Sequence, residues 1–190
     1  MRISDDRYSR DRLRLEIAIQ FIRHEARTHT IRQWTGLTDD RIRKLYRSYL
    51  HGGGLRVTRH RGKSPQQAGY FLRTVRLRQE AAVLASIGCL LGVLHYSRGT
   101  PARLLPGIGR AASVCQAYDT YCALVAEPAI TMEHAVLLLV TLSHGTELAL
   151  QGCRECGALL VADPLALHPP RCVVCSPEGP RAAKRLSCSH

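Results

Sequence analysis

The sequence predicts an all-α protein: a helical body that carries a helix-turn-helix-like unit near its N-terminus, followed by a small ribbon built around four cysteines. Three observations support this fold class. Apolar residues recur at helical spacing over most of the first 150 residues, Gly and Pro clusters separate these segments, and two C-x2-C pairs lie near the C-terminus. We therefore divide the chain into a helical body over residues 1–150 and a ribbon module with a basic tail over residues 151–190.

The four cysteines have the spacing of a zinc site. Cys153, Cys156, Cys172 and Cys175 form the pattern C-x2-C-x15-C-x2-C, in which each pair can turn back and point both sulfurs at one ion about 2.3 Å away. Gly157 follows the second cysteine and provides the backbone freedom that such a turn commonly needs. Four thiolates fill a tetrahedral shell and leave no position for water, so we predict one structural Zn²⁺ in a zinc ribbon and not a catalytic ion.

Two other uses of these cysteines compete with zinc: a pair of disulfides in a secreted protein, and a thioredoxin-like redox motif. Residues 1–14 are polar and lack the apolar stretch of a signal peptide, which argues against secretion. One metal explains two matched pairs more simply than redox chemistry does. We expect a reduced, cytoplasmic setting in which the other four cysteines are thiols.

The charge of the chain is strongly positive and unevenly distributed. Lys and Arg number 27 against 15 Asp and Glu, a formal net charge of +12, and 19 of the 27 basic residues lie in the first 80 positions. This surplus predicts a polyanionic partner. The longest nearly continuous apolar run, residues 81–94, is shorter than the roughly 20 residues of a membrane-spanning helix, so we expect no membrane insertion.

The N-terminal segment has the pattern of a helix, a turn and a second helix. Residues 11–30 combine apolar and charged positions without Gly or Pro, which predicts an amphipathic helix. Gly36 suits a tight turn, Thr38 can cap the helix that follows, and Asp39 and Asp40 would lie in its first turn, where the helix dipole favours negative charge.

The second helix of this unit divides into an apolar and a basic side, as a helix that enters the major groove of DNA would. The Gly-rich segment that follows, residues 51–65, has several basic side chains and no acid, and we expect it to contact phosphates as a mobile loop. A smaller basic cluster follows the cysteines. The candidate DNA contacts are Arg41, Arg43, Lys44, Arg47, Arg56, Arg59, Arg61, Lys63, Arg181, Lys184 and Arg185. The alternative is a solvated helix end within a helical bundle.

The central sequence predicts three helices that pack as the body, over about residues 70–96, 108–125 and 132–148. Within the cysteine module we predict a strand over residues 157–162 and a proline-rich connection over residues 163–171.

Few other residues suggest chemistry. His134 and His144 are ten positions apart in one predicted helix and do not share a metal-binding face, and Cys115 and Cys122 share a face as core residues do. Cys188 and His190 stand at the extreme C-terminus, and we do not assign them to a metal. Phosphate-binding loops, nucleophile elbows and zinc-protease motifs are absent from the sequence, so we expect no enzyme and assign no catalytic residue.

The chain resembles the FlhC family of bacterial flagellar transcriptional activators. The segments that carry the resemblance are TGLTDDRIRKLYRSYLHG at residues 35–52, CRECGALL and CVVC with the four cysteines, and PRAAKRLS at residues 180–187, and they follow the family's order. The resemblance spans about residues 12–187. It implies that Cys153, Cys156, Cys172 and Cys175 are zinc ligands and that residues 41–47 and 181–185 belong to basic segments of the family.

The resemblance also implies a partner and a role. Such a subunit would join an FlhD-like protein in a hetero-oligomer, bind promoter DNA upstream of flagellar operons and recruit RNA polymerase. Two further possibilities stay open from the residues themselves. The chain could be a zinc-stabilised adaptor that binds protein without reading DNA, or an RNA-binding protein, for which 5% aromatic residues offer few stacking surfaces.

Overall fold

A computed structural model describes residues 2–52, 57–60, 62–95, 104–168 and 170–176 of the 190-residue chain. Most of this part is helical, as predicted, and its sheet is a single two-stranded hairpin. Within it, no helix is both long enough and apolar enough to cross a membrane. The helices are α1 (Arg2–Arg23), α2 (Thr28–Thr35), α3 (Asp39–Gly52), a 3-10 turn (Ala68–Leu72), α4 (Val75–Leu90), α5 (Ile108–Leu124) and α6 (Met132–His144), and the strands are β1 (Ala149–Gly152) and β2 (Leu159–Ala162).

The predicted helix over residues 11–30 is wrong at its C-terminal end, because α1 stops at Arg23 and a separate helix, α2, begins at Thr28. The backbone N–H of Ala26 donates to the carbonyl of Phe21, and the N–H of Glu25 donates to that of Ile22. This is a Schellman-type helix end, although the left-handed position is taken by Glu25 (φ 58°) and not by glycine. The missing glycine is the reason why the sequence did not show the end of the helix.

The turn between α2 and α3 matches the prediction. Gly36 has a left-handed conformation (φ 70°), and its N–H donates to the carbonyl of Arg32 at 2.8 Å. The hydroxyl of Thr38 accepts from the N–H of Arg41 at 3.4 Å, so Thr38 caps α3, and Asp39 and Asp40 lie in its first turn.

The three predicted body helices are present, with three corrected boundaries. Residues 108–125 were predicted almost to the residue. The segment over residues 70–96 divides into the 3-10 turn and α4, because Thr74 caps α4 by accepting from the N–H of Leu77. The predicted C-terminal end is also wrong, since α4 ends at Leu90 and the described residues 91–95 are not helical; Tyr96 itself lies outside the described residues. The helix predicted to reach Leu148 ends at His144, since Gly145 adopts a left-handed conformation (φ 69°).

Two buried carboxylates connect these helices. Glu133, at the start of α6, accepts from the backbone N–H of Arg27 at 2.7 Å and from the hydroxyl of Thr30 at 2.9 Å. It therefore satisfies the backbone N–H just before α2, where Arg27 makes no side-chain capping bond. Glu80 on α4 accepts from the hydroxyl of Tyr121 and fixes the connection between α5 and α6 in a similar way. The orientation of α2 thus depends on the body behind it.

The ribbon contributes a surface to the core. β1 and β2 pair antiparallel, with Leu150 opposite Val161, and β2 packs on α4 so that Val161 joins the buried core. The predicted strand over residues 157–162 is shorter than expected and begins at Leu159, and β1 was not predicted. The division of the chain at residue 150 stays a prediction.

Candidate metal centre and cationic surface

The four predicted zinc ligands come together at the end of the ribbon. The sulfurs of Cys153, Cys156, Cys172 and Cys175 all lie within 4.8 Å of one another. Cys156 Sγ is 3.7 Å from Cys172 Sγ. A tetrahedral ion with four sulfurs at about 2.3 Å requires sulfur–sulfur distances of about 3.8 Å, so the spacing suits a single small ion. The site can hold a metal ion with protein ligands alone.

Each cysteine pair sits on a tight backbone turn. After the first pair, Gly157 has φ 73°, and its N–H donates to the carbonyl of Cys153 at 2.8 Å. After the second pair, the N–H groups of Cys175 and Ser176 donate to the carbonyl of Cys172 at 3.0 and 2.8 Å. The glycine predicted to make the first turn is therefore in the conformation that such a turn requires.

Backbone N–H groups point at the sulfurs and favour the thiolate form. The N–H of Cys172 donates to Cys153 Sγ, and the N–H of Cys175 donates to Cys172 Sγ, both at 3.3 Å. The first of these bonds is the main reason why the pKa of the Cys153 thiol is lowered. Hydrogen bonds with the sulfurs of Cys172 and Cys156 act in the opposite direction on Cys175 and raise the pKa of its thiol to about 12. A metal binds thiolates, so an ion at this site would displace the proton that Cys175 holds.

Ion pairs connect the turn of the first cysteine pair to the segment that leads into the second pair. Glu155, between the first two cysteines, pairs with Arg171 at 3.0 Å and with Arg154 at 3.2 Å. The N–H of Arg154 also donates to the carbonyl of Pro170 at 3.2 Å. The two arginines place positive charge next to a centre that four thiolates around a divalent ion would make negative.

The predicted basic helix has the two sides that the sequence indicated. Ile42 and Tyr46 are buried at 0% and 2% exposure. The hydroxyl of Tyr46 donates to the carbonyl of Ala26 and anchors α3 against the end of α1. The opposite side exposes four cations, which we call the α3 cationic face: Arg41, Arg43, Lys44 and Arg47.

Ion pairs on the α3 cationic face are few and exposed. Arg43 pairs with Asp40 at 2.9 Å within the helix, and Arg41 faces Asp11 of α1 at 3.7 Å. Exposed pairs of this kind are worth about 0–1 kcal/mol, so a stronger anion can replace them. The face keeps a net positive charge in the presence of these carboxylates.

Part of the predicted basic loop is held against the end of α1. Glu25 accepts from the backbone N–H of Thr58 at 2.8 Å and pairs with His60 at 2.9 Å. Burial raises the pKa of Glu25, but these bonds outweigh burial and the pKa is lowered overall. Arg59 lies over the ring of Tyr46, 5.5 Å from its centroid, and Lys63 is exposed. The predicted contacts Arg56, Arg61, Arg181, Lys184 and Arg185 lie outside the described residues.

The remaining candidates from the sequence occupy ordinary structural positions. His134 stacks on Tyr70 with ring centroids 4.3 Å apart, and Cys115 is buried, which raises the pKa of its thiol to about 12. His144 is exposed at the end of α6, and Cys122 is half-buried. Cys188 and His190 lie outside the described residues.

The sequence analysis missed three cations beside the α3 cationic face. Arg7, Arg10 and Arg14 lie on α1 and line an open groove of about 430 Å³ together with Asp11. Their spacing of three and four residues places them on one side of the helix, and this signal was available in the sequence. It was overlooked because the apolar pattern of α1 becomes clear only after Arg12.

No protein-family model matches the chain, and no curated protein matches it at a significant level.

Proposed function

We propose that this chain is the DNA-binding subunit of a transcription activator and that it works as the resemblance to the FlhC family implies. The α3 cationic face carries this proposal: one side of α3 is buried against the body, and the other presents four cations with no buried acid among them. Under this proposal α2 and α3 act as a helix-turn-helix unit, joined by a short turn that contains Gly36.

The described contacts suit insertion of α3 into a groove. In a helix-turn-helix protein the second helix enters the major groove, while the first crosses the backbone. α3 is anchored by Tyr46 behind it, and Glu133 fixes the start of α2 from the body. Arginine side chains can pair with guanine edges through two hydrogen bonds, and lysine serves phosphates well. The face therefore offers both kinds of donor.

A single structural Zn²⁺ completes the proposal. Four thiolates at tetrahedral spacing fit zinc better than a hard cation, which prefers oxygen ligands. The ion would hold the two cysteine turns in one geometry at the point where the chain continues into the basic segment of residues 181–185. Its role would be to stabilise the fold, and no catalytic residue is assigned.

The partners are proposed from the resemblance. They are an FlhD-like protein in a hetero-oligomer, promoter DNA upstream of flagellar operons, and RNA polymerase. The body offers apolar contact positions for a second subunit: Leu90 is 86% exposed and Leu124 is 68% exposed.

A salt titration of DNA binding tests the function. The zinc-loaded full chain is titrated onto a fluorescein-labelled 30-base-pair duplex, and anisotropy gives Kd from 50 to 200 mM KCl. If the four cations of the face contact phosphates, they contribute about 3.6 to the slope with which log K falls with log salt, which is about a hundredfold loss of affinity over this range. Arg43→Gln/Lys44→Gln should lower the slope by about 1.8.

A matched variant controls for net charge. Arg12→Gln/Arg78→Gln removes the same charge from two exposed positions outside α3 and should leave the slope close to that of the wild type. Two results contradict the proposed function: a wild-type chain that does not bind duplex DNA at 50 mM KCl, or equal slopes for the two double variants.

The second candidate is a zinc-stabilised adaptor that binds protein without reading DNA. The observation that favours it lies in the connection between the two cysteine pairs, where Leu165 and Leu167 are 83% and 94% exposed. Leucines presented beside a metal-fixed turn suit contact with an apolar protein surface. Recovery of a partner protein by the chain, without any salt-dependent DNA binding, would support this function and refute the first.

A further inference from the structure

We propose that the N-terminal half of α1 forms a second phosphate-binding surface, which contacts the backbone of the same DNA duplex beside α3. The surface is the groove lined by Arg7, Arg10, Asp11 and Arg14, which we call the α1 groove. This inference rests on the proposed function, since it adds a contact surface to a DNA-binding protein.

The arginines of the α1 groove share one side of the helix. At 100° per residue, positions 7, 10 and 14 fall within about 60° of one another. Arg7 and Arg10 are exposed, and the side chain of Arg14 is 40% exposed. Like charges three and four residues apart destabilise a helix by a few tenths of a kcal/mol per pair, so the cluster has a cost that a bound anion would offset.

Asp11 connects the groove to the α3 cationic face. Its Oδ1 accepts from Nη1 of Arg14 at 3.3 Å, and its Oδ2 lies 3.7 Å from Nη1 of Arg41 on α3. The Asp11 carboxylate therefore lies between Arg14 of the groove and Arg41 of the face. The groove and the face form one continuous cationic surface.

One donor in the groove has no acceptor within the described residues. Nε of Arg14 is buried, and no hydrogen-bond partner reaches it in the described part of the chain. A buried donor without an acceptor costs about 1–3 kcal/mol, which a phosphate oxygen or a water would relieve. A phosphate that approached Arg7 and Arg10 would bring oxygens to the mouth of the groove.

The length of the row of arginines from Arg7 to Arg14 suits the spacing of phosphates along a DNA strand. From position 7 to position 14 a helix rises about 10 Å. One strand of the duplex carries a phosphate about every 3.4 Å along the axis, so a row of this length covers about three phosphates. The three arginines therefore match the charge density of a backbone that runs alongside α3. An acidic protein segment would offer carboxylates without this continuous spacing.

The test compares salt slopes of groove variants. Arg7→Gln/Arg10→Gln in the zinc-loaded full chain should lower the slope for the 30-base-pair duplex by about 1.8, so that its loss of affinity between 50 and 200 mM KCl is about tenfold smaller than that of the wild type. Arg7→Lys/Arg10→Lys keeps the charge and should retain the wild-type slope. The control Arg12→Gln/Arg78→Gln should also retain it.

Asp11→Asn gives a test of opposite sign. Removal of the Asp11 carboxylate should raise DNA affinity and steepen the salt dependence, because Arg14 and Arg41 then lack this anionic partner. A merely structural role for Asp11 predicts unchanged or weaker binding. Thermal unfolding of each variant should stay close to that of the wild type, since all the substituted side chains are at least partly exposed.

Each outcome separates this inference from the proposed function. If the wild type binds DNA but Arg7→Gln/Arg10→Gln keeps its slope and Asp11→Asn does not steepen it, the α1 groove is not a phosphate surface and the proposed function stands. Displacement of DNA by polyglutamate at equal charge concentration would identify an acidic protein as the occupant and overturn the inference. Failure of the wild type to bind DNA refutes both.

Discussion

Replacement of Glu80 tests how the helical body is held together. Glu80 is 5% exposed, and its Oε2 accepts from the hydroxyl of Tyr121 and from the backbone N–H of Ala129, the latter at 2.8 Å. Its Oε1 pairs with Nε of Arg76 at 2.7 Å. One carboxylate of α4 thereby fixes α5 and the segment that leads into α6.

The cost of each substitution follows from these bonds. Glu80→Gln keeps an acceptor for Tyr121 and Ala129 but changes two charge-assisted bonds into neutral ones, a loss of about 1 kcal/mol each, and adds a smaller loss from the exposed Arg76. We expect about 2–3 kcal/mol in total. Glu80→Ala leaves the buried hydroxyl and the N–H without an acceptor at about 1–3 kcal/mol each and opens a cavity, so we expect about 3–6 kcal/mol.

The pH dependence has a definite sign. Burial raises the pKa of Glu80, but the bonds from Tyr121, Arg76 and Ala129 outweigh burial and lower it below 4.5. The carboxylate therefore stabilises the fold fully above its unfolded pKa, and this contribution is lost as the pH falls through the lower folded pKa. The difference in unfolding free energy between the wild type and Glu80→Gln should shrink below pH 4.5.

The assay is urea unfolding followed by circular dichroism at pH 7 and at steps down to pH 3, with Glu147→Gln as an exposed control. A wild type and a Glu80→Gln variant within 0.5 kcal/mol of each other at pH 7 would refute the reasoning. A difference that grows at acid pH would refute the assigned direction of the pKa.

Three further predictions concern the metal centre and the start of α2. Cys172→Ser should abolish binding of one zinc per chain, measured by native mass spectrometry, while most of the helical signal persists; loss of all helicity would show that the ribbon and the body fold as one unit. Gly157→Ala should weaken zinc binding about tenfold, because a left-handed residue with a side chain costs about 1–2 kcal/mol and no neighbour lies within 4 Å to add a clash. Glu133→Ala should destabilise the chain by about 2–5 kcal/mol and Glu133→Gln by less, measured by thermal unfolding, since the amide still accepts one bond.

The features that the sequence predicted correctly depend on residues that are close together in the chain. The cysteine spacing predicted the metal cluster, and Gly36 with Thr38 predicted the turn and cap before α3, because each depends on neighbours within a few residues. The division of α3 into buried Ile42 and Tyr46 and an exposed basic side followed from helical periodicity.

The features that were missed depend on distant contacts. α1 ends with Glu25 in a left-handed conformation, which is held by Thr58 and His60 more than thirty residues away, so no local signal marked it. The carboxylate that holds the start of α2 belongs to Glu133, 106 residues along the chain from Arg27. β1 was not predicted because a four-residue strand is defined by its partner β2 more than by its own sequence.

The central claim is that the chain binds promoter DNA as part of an activator, and capture in the native cell tests it most directly. The tagged protein is crosslinked to DNA and sequenced, and co-purified proteins are identified from the same lysate. We predict enrichment at flagellar promoters together with an FlhD-like partner, and loss of the DNA enrichment in Arg43→Gln/Lys44→Gln. Recovery of partner proteins without DNA enrichment would contradict the claim and leave the zinc-stabilised adaptor.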